Sequence, residues 1–304
     1  MDAHQSKEWF DLHYTPSKWS KRMATDMVVG HHVKVCTEYS ETTRKSSHGE
    51  LSIRYGETKA KMDIFYPMMT NNNSAAAYNS AKPVLLFVHG GYWQEGSRKM
   101  HSFVSNAWTK AGCVAAIVGY TLAPEASLEQ MVAEIQAAVK FVANRFPKSK
   151  LFLCGHSAGA HLCAMMMVAD WSKDPSILQA IHGMFLISGV FDVVPCVNSC
   201  VNDVMKLDEE SAARVSPHRI LMKTSPKIFC PVLVAVEEHG SPEFTRQSKE
   251  FLEFLKSHGV PSSFLELPGV DHFDIIENLV NPEDCLCKEM LKVVQEEQAN
   301  NKKK

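Results

Sequence analysis

The sequence predicts an α/β fold in a single domain, with a mostly parallel central sheet and helices on both of its faces. Continuous apolar runs of strand length recur along the chain, and such strands are typical of parallel sheets covered on both faces. Segments with helical periodicity separate these runs, as crossover connections between parallel strands require. No linker-like stretch interrupts the pattern, so one large domain is favoured over two of average size.

The elements follow in order along the chain. Residues 1–50 are polar and helix-prone, which predicts a helical capping arm. Two short β-type segments joined by Gly56-Glu57-Thr58 predict an opening hairpin, and the polar, low-complexity residues 70–80 predict a surface loop. Strands are predicted at 51–55, 61–65, 84–88, 113–118, 151–154, 181–187, 232–236 and 263–267, and helices at 128–145, 158–171, 242–258 and 284–298. We expect the α/β domain to span 51–298 and a disordered basic tail to occupy 299–304.

Composition narrows the classes of function. Lys plus Arg number 32 and Asp plus Glu 34, and a nearly neutral chain with no basic stripe is a poor candidate for binding nucleic acid. We expect no signal peptide, and no apolar run approaches the ~20 residues that a membrane-spanning helix needs. The nine cysteines are odd in number and form no CxxC pair, which indicates reduced thiols in a cytosolic protein. No metal constellation, phosphate loop or dinucleotide fingerprint is present, so no metal or cofactor is predicted.

The strongest motif is Gly155-His156-Ser157-Ala158-Gly159, which follows a buried strand and leads into a predicted helix. G-x-S-x-G in this context forms a nucleophile elbow, in which a sharp turn presents the serine hydroxyl above the sheet. Glycines flank the serine because the backbone is strained and neighbouring chain comes close. The alternative interpretation is a glycine-rich turn between a strand and a helix that binds nothing. We interpret Ser157 as a nucleophile.

A second motif, His89-Gly90-Gly91-Tyr92-Trp93, follows an earlier buried strand. In α/β-hydrolases an HGG-type loop after the third strand donates backbone N–H groups to the oxyanion. The predicted oxyanion hole therefore consists of N–H groups at Gly90, Gly91 and Ala158, each worth roughly 3–4 kcal/mol in the transition state. On its own, this motif is weak evidence for an oxyanion hole, because glycines that follow a strand usually only form a turn.

The third element is His272, in a segment that follows the last predicted strand. The chain order serine, acid, histidine is that of α/β-hydrolases, so His272 is the predicted general base. The other histidines, His31, His32 and His182 among them, are read as structural or surface residues, and His161 is expected to pack beneath the elbow. The acid should follow the strand at 232–236, where the chain reads Glu237-Glu238-His239-Gly240.

These motifs together resemble the arylformamidase family, the kynurenine formamidases of tryptophan breakdown. The resemblance extends over nearly the whole chain from residue 14 to 279. It is carried by YTPSKW (14–19), MDI (62–64), HGGYWQEGS (89–97), CGHSAGAHL (154–162), ADW (169–171), SGVFD (188–192), SPEFTRQS (241–248) and DHFDIIENL (271–279). It implies the α/β-hydrolase fold and a homodimer in the cytosol, with the nucleus as a second location.

The chain departs from the family pattern at the catalytic acid. The resemblance places that acid immediately before SPEF, where this chain has Gly240, which has no group to hold His272. Glu238 is the first candidate substitute because it lies on the same loop, and Glu237 could act in the same way. Asp192 is the second candidate, whereas Asp271 adjoins His272 and is not expected to reach its ring. The alternative for Glu237 and Glu238 is a solvated loop pair.

The predicted activity is acyl transfer by a serine hydrolase. The resemblance implies N-formyl-L-kynurenine as substrate, cleaved to L-kynurenine and formate. Tyr92 and Trp93 could then pack on an aryl leaving group, or else pack in the core behind the loop. Two alternatives remain open: a small-ester carboxylesterase with the same triad, and, because of Gly240, a catalytically weakened homologue that acts by binding.

Overall fold

The computed structural model describes residues 5–68 and 81–300. The predicted loop at 70–80 and residues 301–304 of the predicted tail lie outside the described residues. The strands are β1 His48–Arg54, β2 Lys61–Tyr66, β3 Val84–Val88, β4 Val114–Val118, β5 Leu151–His156, β6 Ile181–Ile187, β7 Val232–His239 and β8 Ser262–Asp271. The helices are α1 Lys7–His13, α2 Thr25–Ser46, α3 Ser105–Lys110, α4 Leu128–Arg145, α5 Ala158–Met165, α6 Ser176–Ala180, α7 Asn202–Met205, α8 Glu209–Arg214, α9 Pro217–Leu221, α10 Pro242–Ser257, α11 Asp274–Glu277 and α12 Cys285–Asn300.

The strands form one eight-stranded sheet in the order β1-β2-β4-β3-β5-β6-β7-β8. β1 pairs with β2 and β2 with β4 in antiparallel register, which confirms the predicted opening hairpin. All other neighbours are parallel. The carboxyl ends of β3, β5, β6, β7 and β8 therefore meet at one edge, where α/β sheets bind their ligands.

Both faces of the inner strands β3 to β7 are buried, as the continuous apolar strands predict. Along β3, Leu86 and Val88 pack in a cluster with α4 and α5, whereas Leu85 and Phe87 pack in a second cluster with α3 and α12. This division follows from the alternation of side chains along a strand.

α4 has the bounds that the sequence predicts, 128–145, and a capping box satisfies the backbone at its start. The Ser127 hydroxyl accepts from the backbone N–H of Gln130, and the Gln130 side chain accepts from the backbone N–H of Ser127.

Two predicted helix ends were wrong by two or more residues. The helix predicted over 158–171 ends at Met165, because the chain then tightens into i→i−3 hydrogen bonds and the Trp171 indole donates to the carbonyl of Met166. The apolar composition continues through this turn, so periodicity gave no stop signal. At the other end of the chain, α12 continues to Asn300, so the first two residues of the predicted tail are helical. No helix in the described ranges is long and apolar enough to cross a membrane.

Candidate active site

Ser157 lies in the turn between β5 and α5 with φ 55° and ψ −120°, a strained conformation for a residue with a Cβ. The flanking glycines are required by space. A Cβ on Gly155 would lie 2.2 Å from the carbonyl oxygen of Gly159, and one on Gly159 would lie 2.1 Å from that of Val88. The backbone N–H of Ser157 donates to the carbonyl of Ile187 at 2.8 Å, which ties the turn to β6. Backbone geometry therefore sets the position of this serine.

The HGG loop after β3 lies directly against the elbow. A Cβ on Gly90 would lie 3.1 Å from the Cβ of Ser157, and Gly91 has φ 108°, a value that favours glycine. The carbonyl of Gly91 accepts hydrogen bonds from the N–H groups of Gln94 and Glu95, each at 2.9 Å, and these close the loop as a tight turn. Ala158 is the first residue of α5, where backbone N–H groups lack intrahelical acceptors. The structure thus brings the predicted oxyanion-hole backbone next to Ser157.

His272 follows the last residue of β8 and is buried beside the elbow. Its ring centroid lies 4.7 Å from that of His156 and 5.1 Å from that of Phe244, and its carbonyl accepts from Nε2 of His156 at 2.9 Å. Nδ1 of His272 lies 2.9 Å from Oε1 of Glu237. A carboxylate only accepts hydrogen bonds, so Nδ1 carries the proton and, in the neutral ring, Nε2 keeps its lone pair.

The carboxylate that contacts His272 is therefore that of Glu237, not that of the first candidate, Glu238. Glu237 is only 2% exposed, and its second oxygen accepts from the hydroxyl of Ser188. Glu238 is exposed and accepts from the backbone N–H of Gly269 at 2.7 Å. β7 continues to His239, and consecutive side chains of a strand point to opposite faces. A prediction that treats these residues as a loop lacks this alternation.

Gly240 leaves room for the side chain of Glu237. A Cβ at position 240 would lie 2.4 Å from Oε1 of Glu237 and 2.6 Å from its Cγ. The Glu237 side chain therefore fills the space that any side chain at 240 would need. Glycine at the position where the resemblance expects an acid is thus sterically matched to a carboxylate supplied three residues earlier.

The remaining acidic candidates have other partners. Oδ1 of Asp192, the second candidate, lies 2.6 Å from Nε of Arg219 and accepts from the N–H of Val194, so the structure pairs this carboxylate with groups other than His272. Asp271 accepts from the hydroxyl of Ser20 and from Nε of Arg22 at 2.9 Å. Burial alone would raise the pKa of Asp271, but hydrogen bonds from Ser20 and from backbone N–H groups keep it below its ordinary value.

Ser157 and His272 line one cavity of about 540 Å³. Tyr92, predicted to contact substrate, also lines it, and its hydroxyl donates to the carbonyl of Tyr14 at 2.7 Å. Trp93 does not: it is fully buried, and its Nε1 lies 3.2 Å from Nδ1 of His161. The prediction that Trp93 contacts substrate is corrected to core packing behind the loop, and His161 does pack beneath the elbow.

The N-terminal segment supplies a wall of the cavity that sequence reasoning missed. Tyr14 and the α2 residues Val29 and Val33 line the cavity. Nε of Arg22 lies 2.9 Å from Oδ2 of Asp271, and Nη1 lies 2.7 Å from Oε2 of Glu277, so ion pairs hold this segment beside His272. The available signal was the spacing of Val29 and Val33, which lie four residues apart and therefore share one face of α2.

Comparisons with known proteins identify the fold and the family. Residues 85–275 match the family described as having the alpha/beta hydrolase fold, and the chain belongs to it. A solved structure from Silicibacter sp. is similar, with a TM-score of 0.77, 24% identity, and coverage of 92% of this chain and 97% of the other. An esterase of Pyrobaculum calidifontis is similar with a TM-score of 0.67 and 17% identity, covering 91% of this chain and 95% of its own. These likenesses show the fold.

Sequence similarity narrows the family further. The chain is 36% identical to the kynurenine formamidase of Danio rerio, over 95% of this chain and 97% of that protein. It is 29% identical to the kynurenine formamidase of Drosophila melanogaster, over 89% and 90%. The chain therefore belongs to the kynurenine formamidase family of hydrolases. An isoprenylcysteine alpha-carbonyl methylesterase of Arabidopsis thaliana is 25% identical over 74% of this chain and 56% of its own.

Proposed function

We propose that the chain is an arylformamidase that hydrolyses the formamide of N-formyl-L-kynurenine with a Ser157–His272–Glu237 triad. The observation that carries this proposal is the contact of Nδ1 of His272 with Oε1 of Glu237 at 2.9 Å. Glu237 supplies the acid that is missing at Gly240, which favours a working enzyme over a weakened homologue. The acid lies three residues before the position that the resemblance implies.

In the proposed reaction the Ser157 oxygen attacks the formyl carbon while Nε2 of His272 takes its proton. Glu237, negatively charged and buried, stabilises the imidazolium that forms. Backbone N–H groups of Gly90, Gly91 and Ala158 donate to the oxyanion. The C–N bond then breaks, and His272 returns the proton to the departing amine. Water attacks the formyl ester by the same route, which releases formate and restores Ser157.

The shape of the site supports a formamide with a bulky leaving group. A formyl group is the smallest acyl group, so it needs almost no acyl pocket beside Ser157. The cavity of about 540 Å³ that Ser157 lines has room for a leaving group, and in this proposal an aryl amine packs there against Tyr92. From the resemblance we also propose a homodimer in the cytosol and nucleus. All nine cysteines are free thiols, seven of them buried, which is consistent with a reducing compartment.

The proposal is tested with purified protein on N-formyl-L-kynurenine and, separately, on a short-chain nitrophenyl ester. We expect turnover of the formamide, and a loss of at least about a thousand-fold in kcat for Ser157→Ala and for His272→Ala with the fold retained by circular dichroism. Preference for the ester would support a carboxylesterase instead. No turnover of either substrate, with Ser157 unlabelled by a phosphonate, would support the weakened homologue.

A further inference from the structure

Three buried side chains with metal-ligating atoms meet in the wall of the cavity, and the proposed reaction uses none of them. His32 and Cys36 lie four residues apart on one face of α2, and His101 approaches from the segment before α3. One ligand atom from each residue falls within 4.8 Å of the others. His32 and His101 also line the cavity that contains Ser157.

The hydrogen bonds of the two imidazoles fix which nitrogen is available. Nδ1 of His32 lies 2.7 Å from Oε1 of Glu277, and Nδ1 of His101 lies 3.0 Å from the carbonyl oxygen of Ser97. Both partners can only accept, so each Nδ1 carries a proton and, in the neutral rings, each Nε2 has a free lone pair. This is the tautomer in which histidine binds a metal through Nε2.

The spacing also suits a tetrahedral ion. Zn–S bonds of about 2.3 Å and Zn–N bonds of about 2.0 Å place sulfur and nitrogen ligands about 3.5 Å apart. Sγ of Cys36 lies 3.6 Å from Nδ1 and 3.7 Å from Nε2 of His32, so it faces the imidazole ring, and rotation of the Cys36 side chain brings it beside an ion on Nε2. The carboxylate of Glu277 behind His32 reproduces the carboxylate–histidine pair that orients metal-bound imidazoles, and Arg22 balances the charge of Glu277.

We propose that His32, Cys36 and His101 form a binding site for a thiophilic divalent ion, with Zn²⁺ as the best match. Two imidazoles and one thiolate are a zinc donor set, and three protein ligands leave a fourth position open. The Cys36 thiol loses its proton to solvent when the ion binds. An ion here would narrow the cavity beside Ser157, so we expect Zn²⁺ to inhibit the hydrolase; this last consequence rests on the proposed function.

The binding test uses the whole protein, titrated with Zn²⁺ against a chromophoric chelator and with Co²⁺ in absorption spectroscopy. We expect one ion per chain and, with Co²⁺, a thiolate-to-metal charge-transfer band. Cys36→Ser should abolish the band, and Cys36→Ser and His101→Gln should each weaken Zn²⁺ binding by at least about 100-fold. The matched controls are Cys285→Ser, which removes an exposed thiol, and His258→Gln, which removes an exposed imidazole.

The outcomes separate the site from the catalytic proposal. Tight binding that the controls leave unchanged, and that Cys36→Ser and His101→Gln lose, supports the site whether or not the protein hydrolyses any substrate. Equal affinity in all variants, or no charge-transfer band in the parent chain, overturns it. If the parent chain is active, inhibition by Zn²⁺ should need about 100-fold more ion in Cys36→Ser, whose circular dichroism spectrum checks the fold.

Discussion

The elbow after β5 and the acid segment at the end of β7 both hold a member of the proposed triad, but they hold it in different ways. At the elbow, the backbone conformation positions the nucleophile: Ser157 has a positive φ, and Gly155 and Gly159 have no room for a Cβ. At the acid segment a side chain decides: Glu237 extends from the strand and fills the space over Gly240. A nucleophile that depends on backbone conformation must stay at its position in the sequence. An acid that reaches the histidine through its side chain can be supplied from a neighbouring position.

The first prediction concerns the negative charge of Glu237. Glu237→Gln keeps the shape of the side chain but removes the charge that stabilises the His272 imidazolium, and its amide can favour the wrong tautomer. We expect kcat on N-formyl-L-kynurenine to fall on the order of ten-thousand-fold with little change in the fold. The matched control is Glu238→Gln, which alters an exposed neighbour that accepts from the Gly269 N–H.

Steady-state kinetics of the two glutamine variants, with circular dichroism for the fold, distinguish the candidates. Glu238→Gln should leave kcat within about two-fold of the parent chain, since an exposed hydrogen bond contributes little. A larger loss in Glu238→Gln than in Glu237→Gln would return the acid role to Glu238.

The second prediction restores the acid at the position that the resemblance implies. Gly240→Asp introduces a Cβ that would lie 2.4 Å from Oε1 of Glu237, together with a second negative charge. We expect Glu237 to be pushed from Nδ1 of His272 and kcat to fall by about 100-fold, the size of effect that a displacement of about 1 Å can have. Gly240→Ala, with the Cβ but no charge, separates the steric part.

A double variant sharpens this result. With Glu237→Ala, the space over position 240 is free, so Gly240→Asp should recover part of the activity that Glu237→Ala alone loses. Higher activity in the single Gly240→Asp variant than in the parent chain would mean that the native site lacks an acid, and would contradict the compensation between the two positions.

The same contrast explains what the sequence could predict. The sheet, the hairpin and α4 follow from apolar runs and capping residues, and the elbow follows from its glycines, because each is a local property of the chain. The partner of His272 is not local: choosing between Glu237 and Glu238 requires the end of β7, which depends on pairing with β8. The cavity wall formed by Tyr14 and α2 depends on the ion pairs of Arg22, which join residues more than 240 positions apart.

The third prediction concerns the protonation of the elbow side, where buried imidazoles are neutral, in contrast to the charged acid side. Nε2 of His161 lies 2.6 Å from the carbonyl oxygen of Val215, so it donates, and Nδ1 accepts from the Trp93 indole. A second proton would have to sit on Nδ1 against that indole N–H. Burial lowers the pKa of His161 from 6.5 to about 4, so the unfolded chain takes up the proton first.

The free energy of unfolding should therefore be unaffected by His161 above pH 7 and should fall as the pH drops from 6.5 toward 4. Between pH 7.5 and 5 we expect His161 to account for about 2 kcal/mol of the decrease. His161→Gln can keep both hydrogen bonds without a titrating group, so denaturant unfolding of this variant should show a pH dependence smaller by that amount. Exposed His31, replaced in the same way, is the control. An unchanged pH dependence in His161→Gln would mean that the folded protein accommodates the His161 imidazolium. The elbow would then not differ from the acid segment in excluding charge.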